Sequence, residues 1–138
     1  MKTVLLFGTF DFLHSGHLHA FQEADKLGDR LVVSVARDSA IDKIKGKAPI
    51  HSEHERLALV NHIEIVDIAF LGDKELGIYS FFEELQPDIV ALGYDQDGLK
   101  RDLEIFIKEH EYNSTIVTLS IYKEGEIKSS TIKTKLGL

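Results

Sequence analysis

The chain alternates short, continuous apolar runs with segments whose apolar residues recur at helical spacing. Residues 2–7 and 30–36 are runs of the first kind, and residues 15–27 between them carry an apolar stripe of the second kind. Strands that are apolar on both faces belong to parallel sheets covered by helices on both sides. The pattern therefore predicts an α/β fold with an open, doubly wound, five-stranded parallel sheet.

The same alternation predicts the order of the elements along the chain. Strands are expected at residues 2–7, 30–36, 66–71, 88–92 and 115–121. Helices are expected at residues 15–27, from the Ser52 capping box through Ile63, and at residues 78–85, 99–111 and 129–136. Residues 42–51, which are rich in Lys, are expected to be the one long irregular stretch.

Length and composition limit the class of protein. With 138 residues and no linker or repeat, we expect a single domain over residues 1–138. The absence of cysteine excludes disulfides, thiolate zinc sites and cysteine nucleophiles. No run of 18 apolar residues is present, and the first residues resemble a strand more than a signal peptide. We therefore expect a cytoplasmic protein with no membrane partner.

Charge limits the partners further. The net charge is −7 and the pI is about 5.4, which is unfavourable for general nucleic-acid binding, so no nucleic-acid partner is expected. A protein this acidic that binds a polyphosphate must concentrate its cations locally. Five cations between the second and third predicted strands meet that demand: Arg37, Lys43, Lys45, Lys47 and Arg56.

The segment after the first strand, residues 8–17, is the strongest functional signal. Ligands of doubly wound sheets bind at the carboxyl ends of the strands. Gly16 lets a phosphate approach the start of the next helix, whose free N–H groups favour an anion. His14 and His17, three residues apart, can face that anion as a phosphate clamp. Two alternatives stay open: a plain helix cap with solvated imidazoles, and a zinc site with His19, which lacks a carboxylate at ligand spacing.

Two motifs resemble a known family. GTFDFLHSGH at residues 8–17 is similar to the GTFDxxHxGH signature of the cytidylyltransferase-like nucleotidyltransferases. KSSTIK at residues 128–133 is similar to the family's ISSTxIR, with Lys replacing the leading Ile and the final Arg. The resemblance implies that His14 and His17 are catalytic and contact the nucleotide phosphates. It implies a nucleotide site that also includes Gly8, Thr9, Phe10, Ser15, Gly16, Ser129, Ser130 and Thr131.

Further residues follow the other strands, and each has two interpretations. Asp95 can bind a ribose hydroxyl or base amine, or simply form a turn, and Tyr122 can line the base pocket or cover the sheet edge. The serines and threonine at 129–131 can bind β- and γ-phosphates or form an ordinary N-cap. The cations Arg37, Lys45, Lys47 and Arg56 can form a lid over the triphosphate or acceptor phosphate, or a solvated loop.

The substrate is predicted from four shorter stretches. VARD, KGKAPI, ER and GYDQ, ending at residues 38, 50, 56 and 96, are similar to archaeal-type FAD synthases. That likeness implies transfer of AMP from ATP to FMN, with Mg²⁺ carried by the nucleotide and no metal bound by the protein itself. The alternatives are a CTP-dependent glycerol-3-phosphate cytidylyltransferase, whose RTEG-like run is missing here, an ADP-sugar synthase, and a non-catalytic nucleotide-binding regulator. Relatives are commonly dimers, so the resemblance also allows a homodimer.

Overall fold

The predicted parallel sheet is present in the computed structural model, which describes residues 1–120 except the side chain of Lys45. The strands are β1 (Thr3–Gly8), β2 (Arg30–Val35), β3 (Ile68–Leu71), β4 (Ile89–Leu92) and β5 (Thr115–Thr118). The helices are α1 (Ser15–Asp25), α2 (Asp38–Lys45), α3 (Glu53–Asn61), α4 (Phe82–Leu85) and α5 (Asp97–Glu109). All strand pairs are parallel, in the order β3-β2-β1-β4-β5.

The strand order places the switch point of the sheet, where doubly wound folds form their binding crevice, beside β1. The chain passes from β1 through β2 to β3 at one edge, and then crosses back to place β4 on the other side of β1. In register, Val4 is paired with Ile89, so the two strands end near each other. Connections that leave β1 and β4 in opposite directions open a gap at their carboxyl ends.

Helices cover both faces of the sheet, as the apolar strands predicted. On one face, Phe21 of α1 and Val60 of α3 are fully buried against alternate residues of β1 and β2. On the other face, Phe82 of α4 and Leu103 of α5 are fully buried against the remaining strand residues. The two apolar layers confirm the doubly wound arrangement.

The expectation that residues 42–51 form an irregular stretch is wrong in its first part. Helix α2 covers Asp38–Lys45 and ends at Gly46, which has a φ of 65°. Ala40 and Ile41 are buried, and they anchor this helix to the molecule. An eight-residue helix carries too few apolar positions for periodicity to separate it from a charged loop.

The helix expected at residues 78–85 is shorter than predicted. Only α4 forms, because Tyr79 has a φ of 48°, which a right-handed helix does not allow. Tyr79 donates a hydrogen bond from its hydroxyl to Asp102, and its ring packs edge-on against Phe106 at a centroid distance of 5.0 Å. These tertiary contacts outweigh the local helical pattern.

The other elements differ from the predictions by up to three residues at their ends. The capping box at the start of α3 is confirmed, since Glu55 N–H donates to the Ser52 hydroxyl and Ser52 N–H to the Glu55 carboxylate. The last predicted helix, residues 129–136, lies outside the described residues. Within residues 1–120 no helix has the length and apolarity needed to cross a membrane.

Two glycine substitutions test the packing of this fold. A Cβ at Gly28 would lie 2.8 Å from the Lys2 carbonyl oxygen and 2.8 Å from Val4 Cγ2, so Gly28→Ala is expected to cost about 1–3 kcal/mol of unfolding free energy. Gly98, in α5, has no described atom within 4 Å of such a Cβ. Gly98→Ala is therefore expected to stabilise by about 0.5–1 kcal/mol. Urea unfolding measures both, and equal effects would contradict the packing described.

Candidate active site

Gln96 holds the two strand ends that border the crevice. Its side-chain oxygen accepts a hydrogen bond from Gly93 N–H at 2.7 Å, just past β4. Its side-chain nitrogen donates to the Phe7 carbonyl of β1 at 3.3 Å. Gln96 was not among the predicted site residues. Its sequence signal is a polar side chain four residues after the end of a buried strand.

The two motif histidines form the first turn of α1 together. His14 is the N-cap, and its Nδ1 accepts a hydrogen bond from Gly16 N–H at 3.0 Å. His17 Nδ1 accepts one from His14 N–H at 3.2 Å, which completes a capping box built from two imidazoles. The rings lie 4.1 Å apart between centroids. The capping interpretation is therefore correct, although the imidazoles are partly buried rather than solvated.

These hydrogen bonds fix the tautomer of both rings. A neutral imidazole that accepts at Nδ1 carries its proton on Nε2. The His14 Nε2 atom is buried, and no group within residues 1–120 accepts its hydrogen bond. A buried N–H group left unpaired costs about 1–3 kcal/mol, which an acceptor such as a phosphate oxygen would recover. The capping role and the phosphate-clamp role thus use different nitrogens of the same ring.

Both histidines are neutral at pH 7. Burial lowers the pKa of His14 below its usual value. Burial is also the main cause that lowers the pKa of His17 to about 4; proximity to His14 adds to the effect, and the negative charge of Asp11 partly offsets it. The pair therefore offers N–H donors to an anion, and the positive end of the α1 dipole supplies the electrostatic attraction.

The low pKa of His17 predicts an acid-sensitive fold. The unfolded chain takes up the proton near pH 6.5 whereas the folded protein resists it down to about pH 4. Between these values the unfolded state binds more protons, so the stabilisation is complete above pH 6.5 and is lost as the pH falls toward 4.

Urea unfolding at about pH 7.5 and about pH 5 should therefore show a larger loss of stability for the native protein than for a His17→Asn variant. The Asn side chain keeps an acceptor for His14 N–H but does not titrate. Equal losses in the two proteins would show that His17 does not have a lowered pKa in the folded state.

Phe10 lies in the core rather than in the crevice. Its ring is 5% exposed, stacks on Phe21 at 5.1 Å and contacts the ring of His17 at 5.7 Å. A Cβ on Gly8 would come within 2.4 Å of the Phe10 ring, so Gly8 is needed for this packing. The Phe10 side chain therefore packs beneath the His17 ring on the core side, and Phe10 can contact a nucleotide only through its backbone. The neighbouring Thr9 carbonyl is already used, since it accepts from Arg56 at 2.8 Å.

The structure does not place Arg56 as a surface phosphate ligand. Its side chain is fully buried, and it donates to the carbonyls of Thr9, Ala36 and His51 at 2.8, 2.7 and 3.1 Å. It also pairs with the Asp38 carboxylate at 2.6 Å. Arg56 is buried rather than exposed because a guanidinium with five donors can satisfy several carbonyls that converge in the core.

Arg37 is also engaged within the protein. Its Nε donates to the Gly72 carbonyl at 2.6 Å, and its guanidinium pairs with Glu53 at 3.2 Å. The Glu53 carboxylate in turn accepts from Asp38 N–H, while Asp38 accepts from Glu53 N–H. The Glu53 carboxylate thus caps α2 and the Asp38 carboxylate caps α3, so the two helices start side by side. The first-turn amides of Asp38 and Glu53 are therefore already hydrogen-bonded.

Asp11 is a site residue that was not predicted. It is 3% exposed and accepts hydrogen bonds from Ile50 N–H at 2.8 Å and His51 N–H at 3.0 Å. These bonds attach residues 46–51, which we call the strap, to the loop that carries His14. The signal was present in the GTFD motif, but the partners lie about 40 residues away in sequence and could not be inferred from it.

Unlike the two arginines, two of the predicted lysines form no ion pair with the described part of the protein. Lys43 and Lys47 are exposed, and neither forms a salt bridge within residues 1–120. Lys45 is the last residue of α2. Lys47 lies within the strap, between the end of α2 at Gly46 and the anchor at Ile50. It remains a candidate for contact with an anion at the crevice.

The remaining predicted residues divide into two groups. Ser15 begins α1 and is exposed beside the Gly16 amide, and Asp95 is exposed in the turn between β4 and α5. Four other predicted nucleotide contacts lie outside the described residues: Tyr122, Ser129, Ser130 and Thr131. Within residues 1–120 there is no group of three His, Cys, Asp or Glu side chains that could hold a metal ion.

Comparison with known sequences identifies similar proteins over nearly the whole chain. A family model described as cytidylyltransferase-like matches residues 5–135. A FAD synthase from Thermoplasma acidophilum is 43% identical over 135 residues, which are 98% of this chain and 93% of that protein. FAD synthases from Methanohalobium evestigatum and Thermococcus sibiricus are 41% and 35% identical over 130 residues each, 94% of this chain and 85% and 88% of theirs.

Comparison with solved structures gives the same fold. The structure described as a lipopolysaccharide core biosynthesis protein from Thermoplasma volcanium superposes with a TM-score of 0.81 and 41% identity, covering 89% of this chain and 99% of that one. A pantoate-beta-alanine ligase from Francisella tularensis, in complex with beta-gamma ATP and beta-alanine, gives 0.58 at 14% identity, covering 97% and 68%. The second likeness shows the fold alone.

Proposed function

The chain belongs to the cytidylyltransferase-like family, and from this premise we propose that it is a nucleotidyltransferase that transfers AMP from ATP to FMN, giving FAD and pyrophosphate. The observation that carries this proposal is the 43% identity to a FAD synthase over 98% of the chain. The site supports it independently, because the buried and unpaired His14 Nε2 donor suits a phosphate oxygen at the start of α1.

In the proposed reaction, a phosphate oxygen of FMN attacks the α-phosphorus of ATP in line with the leaving group. The new P–O bond forms as the bond between the α-phosphorus and the bridging oxygen breaks, and pyrophosphate leaves with the electron pair. The attacking oxygen is already anionic, so no general base is needed. The protein's work is therefore alignment and stabilisation of charge in the transition state.

The described residues divide this work between them. The Nε2–H groups of His14 and His17 and the Ser15 amide at the start of α1 would donate to the nucleotide phosphates. Gly16, whose own N–H donates to His14 Nδ1, would leave room for a phosphate because it has no Cβ. Gly8, Thr9 and Phe10 would form the wall through their backbone, and Asp95 would accept from a ribose hydroxyl or base amine. Lys47 would meet the acceptor phosphate, and Lys45 is given the same role from the sequence alone.

Other parts of the proposal rest on the sequence. Ser129, Ser130 and Thr131 would bind the β- and γ-phosphates, and Tyr122 would line the base pocket. Mg²⁺ would enter as its complex with ATP, neutralising charge on the triphosphate. The protein would act in the cytoplasm, and a homodimer stays a prediction that light scattering can check.

A second candidate is an ADP-sugar synthase. The observation that favours it is the 41% identity to the structure described as a lipopolysaccharide core biosynthesis protein. The chemistry at the α-phosphorus would be the same, and only the group attached to the acceptor phosphate would differ. A glycerol-3-phosphate cytidylyltransferase is the third candidate, with CTP as the donor.

The test is a matrix of donors and acceptors. The purified protein with Mg²⁺ is mixed with ATP or CTP and with FMN, a sugar 1-phosphate or glycerol 3-phosphate, and the products are separated by chromatography. ATP with FMN should give FAD with stoichiometric pyrophosphate. If CDP-glycerol or an ADP-sugar formed readily while FAD did not, the acceptor assignment would be wrong and the corresponding alternative would replace it.

A further inference from the structure

The peptide groups at Ile50 and His51 are held from both sides. Asp11 accepts from the N–H of Ile50 at 2.8 Å and from that of His51 at 3.0 Å. On the other side, Arg56 Nε donates to the His51 carbonyl at 3.1 Å, and the Phe12 ring lies edge-on to the His51 ring at 5.3 Å. Ile50 and His51 are the last two residues of the strap, five and six residues after the end of α2.

The same guanidinium reaches the loops that follow β1 and β2. Arg56 donates to the Thr9 carbonyl, five residues before His14, and to the Ala36 carbonyl directly after β2. Its remaining contact is the Asp38 carboxylate at the start of α2. One fully buried cation therefore joins three segments that meet at the crevice: the loop after β1, the start of α2 and the strap.

We propose that Arg56 and Asp11 are positioning residues, which fix the strap against the loop that carries His14 and so set where Lys47 meets the acceptor phosphate. Neither side chain touches the substrate. Asp11 accepts hydrogen bonds from the strap amides. Arg56 donates to the carbonyl oxygens that converge behind them and forms an ion pair with the carboxylate there. The role assigned to Lys47 rests on the proposed function, whereas the attachment of the strap does not.

Arg is required at this position by geometry as well as by charge. Four bonds leave the guanidinium in different directions, from Nε, from Nη2 and twice from Nη1. A Lys ammonium has three donors at a single point and cannot reach all of these acceptors. Arg56→Lys thus keeps the buried charge but releases part of the attachment, which makes it a milder change than truncation.

The first test measures amide hydrogen exchange in the substrate-free protein. Asp11→Asn and Arg56→Lys are each expected to raise the exchange rates of Ile50 and His51 about tenfold or more, with little change in β1 amides such as Leu5. Arg101→Lys, an exposed residue of α5, is the control and should change neither. Unchanged protection at Ile50 and His51, or an equal rise at every amide, would overturn the attachment.

The second test is kinetic and uses FMN as the acceptor. Lys47→Ala should raise the KM for FMN in the native background, and it should raise it clearly less when Asp11→Asn has already released the strap. The same fold-change in both backgrounds would show that Asp11 does not act through Lys47. If no FAD forms in any variant, the proposed function fails, and the exchange experiment still decides whether the strap is attached as described.

Discussion

Replacing His14 by Asn is expected to lower turnover about a hundredfold or more, the usual effect of removing one donor to the transition state. The substitution separates the two roles of the ring. The Asn side-chain oxygen occupies the place of Nδ1 and can still accept from Gly16 N–H, so the first turn of α1 keeps its cap. The Nε2 donor, which is buried without a partner in the described part of the chain, is lost.

Initial rates of pyrophosphate release, together with the free energy of unfolding, distinguish these roles. His14→Ala should lose both the cap and the donor, and should therefore be less stable than His14→Asn by about 1 kcal/mol while being equally slow. His54→Asn serves as the control, since the His54 side chain is 79% exposed. If His14→Asn retained turnover close to that of the native protein, His14 would be a helix cap and nothing more.

Replacing Phe21 by Ala should produce the largest loss of stability among these variants, about 3–5 kcal/mol. The ring is fully buried, and it stacks on Phe10 at 5.1 Å, which in turn supports His17. Its removal leaves a cavity between α1 and the sheet. Because small domains have a total stability of about 5–15 kcal/mol, the variant would lose a large part of it.

Urea unfolding followed by circular dichroism measures this loss. Ile105→Ala is a suitable control, because Ile105 is 58% exposed on α5 and should change the unfolding free energy by no more than about 0.5 kcal/mol. Phe21→Leu should lie between the two. A Phe21→Ala variant as stable as the Ile105→Ala variant would contradict the packing of α1 on the sheet.

The HxGH segment shows how far the sequence predicted the site. The motif, its position after a buried strand and the helix that follows were all recognisable locally, because each depends on residues within one turn of one another. The sequence left three interpretations of His14 open: a phosphate clamp, a helix cap, and a zinc site with His17 and His19. The structure shows the cap, and it leaves the other ring nitrogen available for the clamp.

The sequence by itself determined the parallel sheet and its two covered faces, because continuous apolar runs and helical stripes are local patterns that allow few topologies. Only the tertiary structure decided how the charges and aromatic rings are used. Arg56 became a buried link between three segments, and Phe10 became core. Their partners lie between 5 and 47 residues away. Which polar groups converge in the interior depends on how the elements pack, and no local pattern records that.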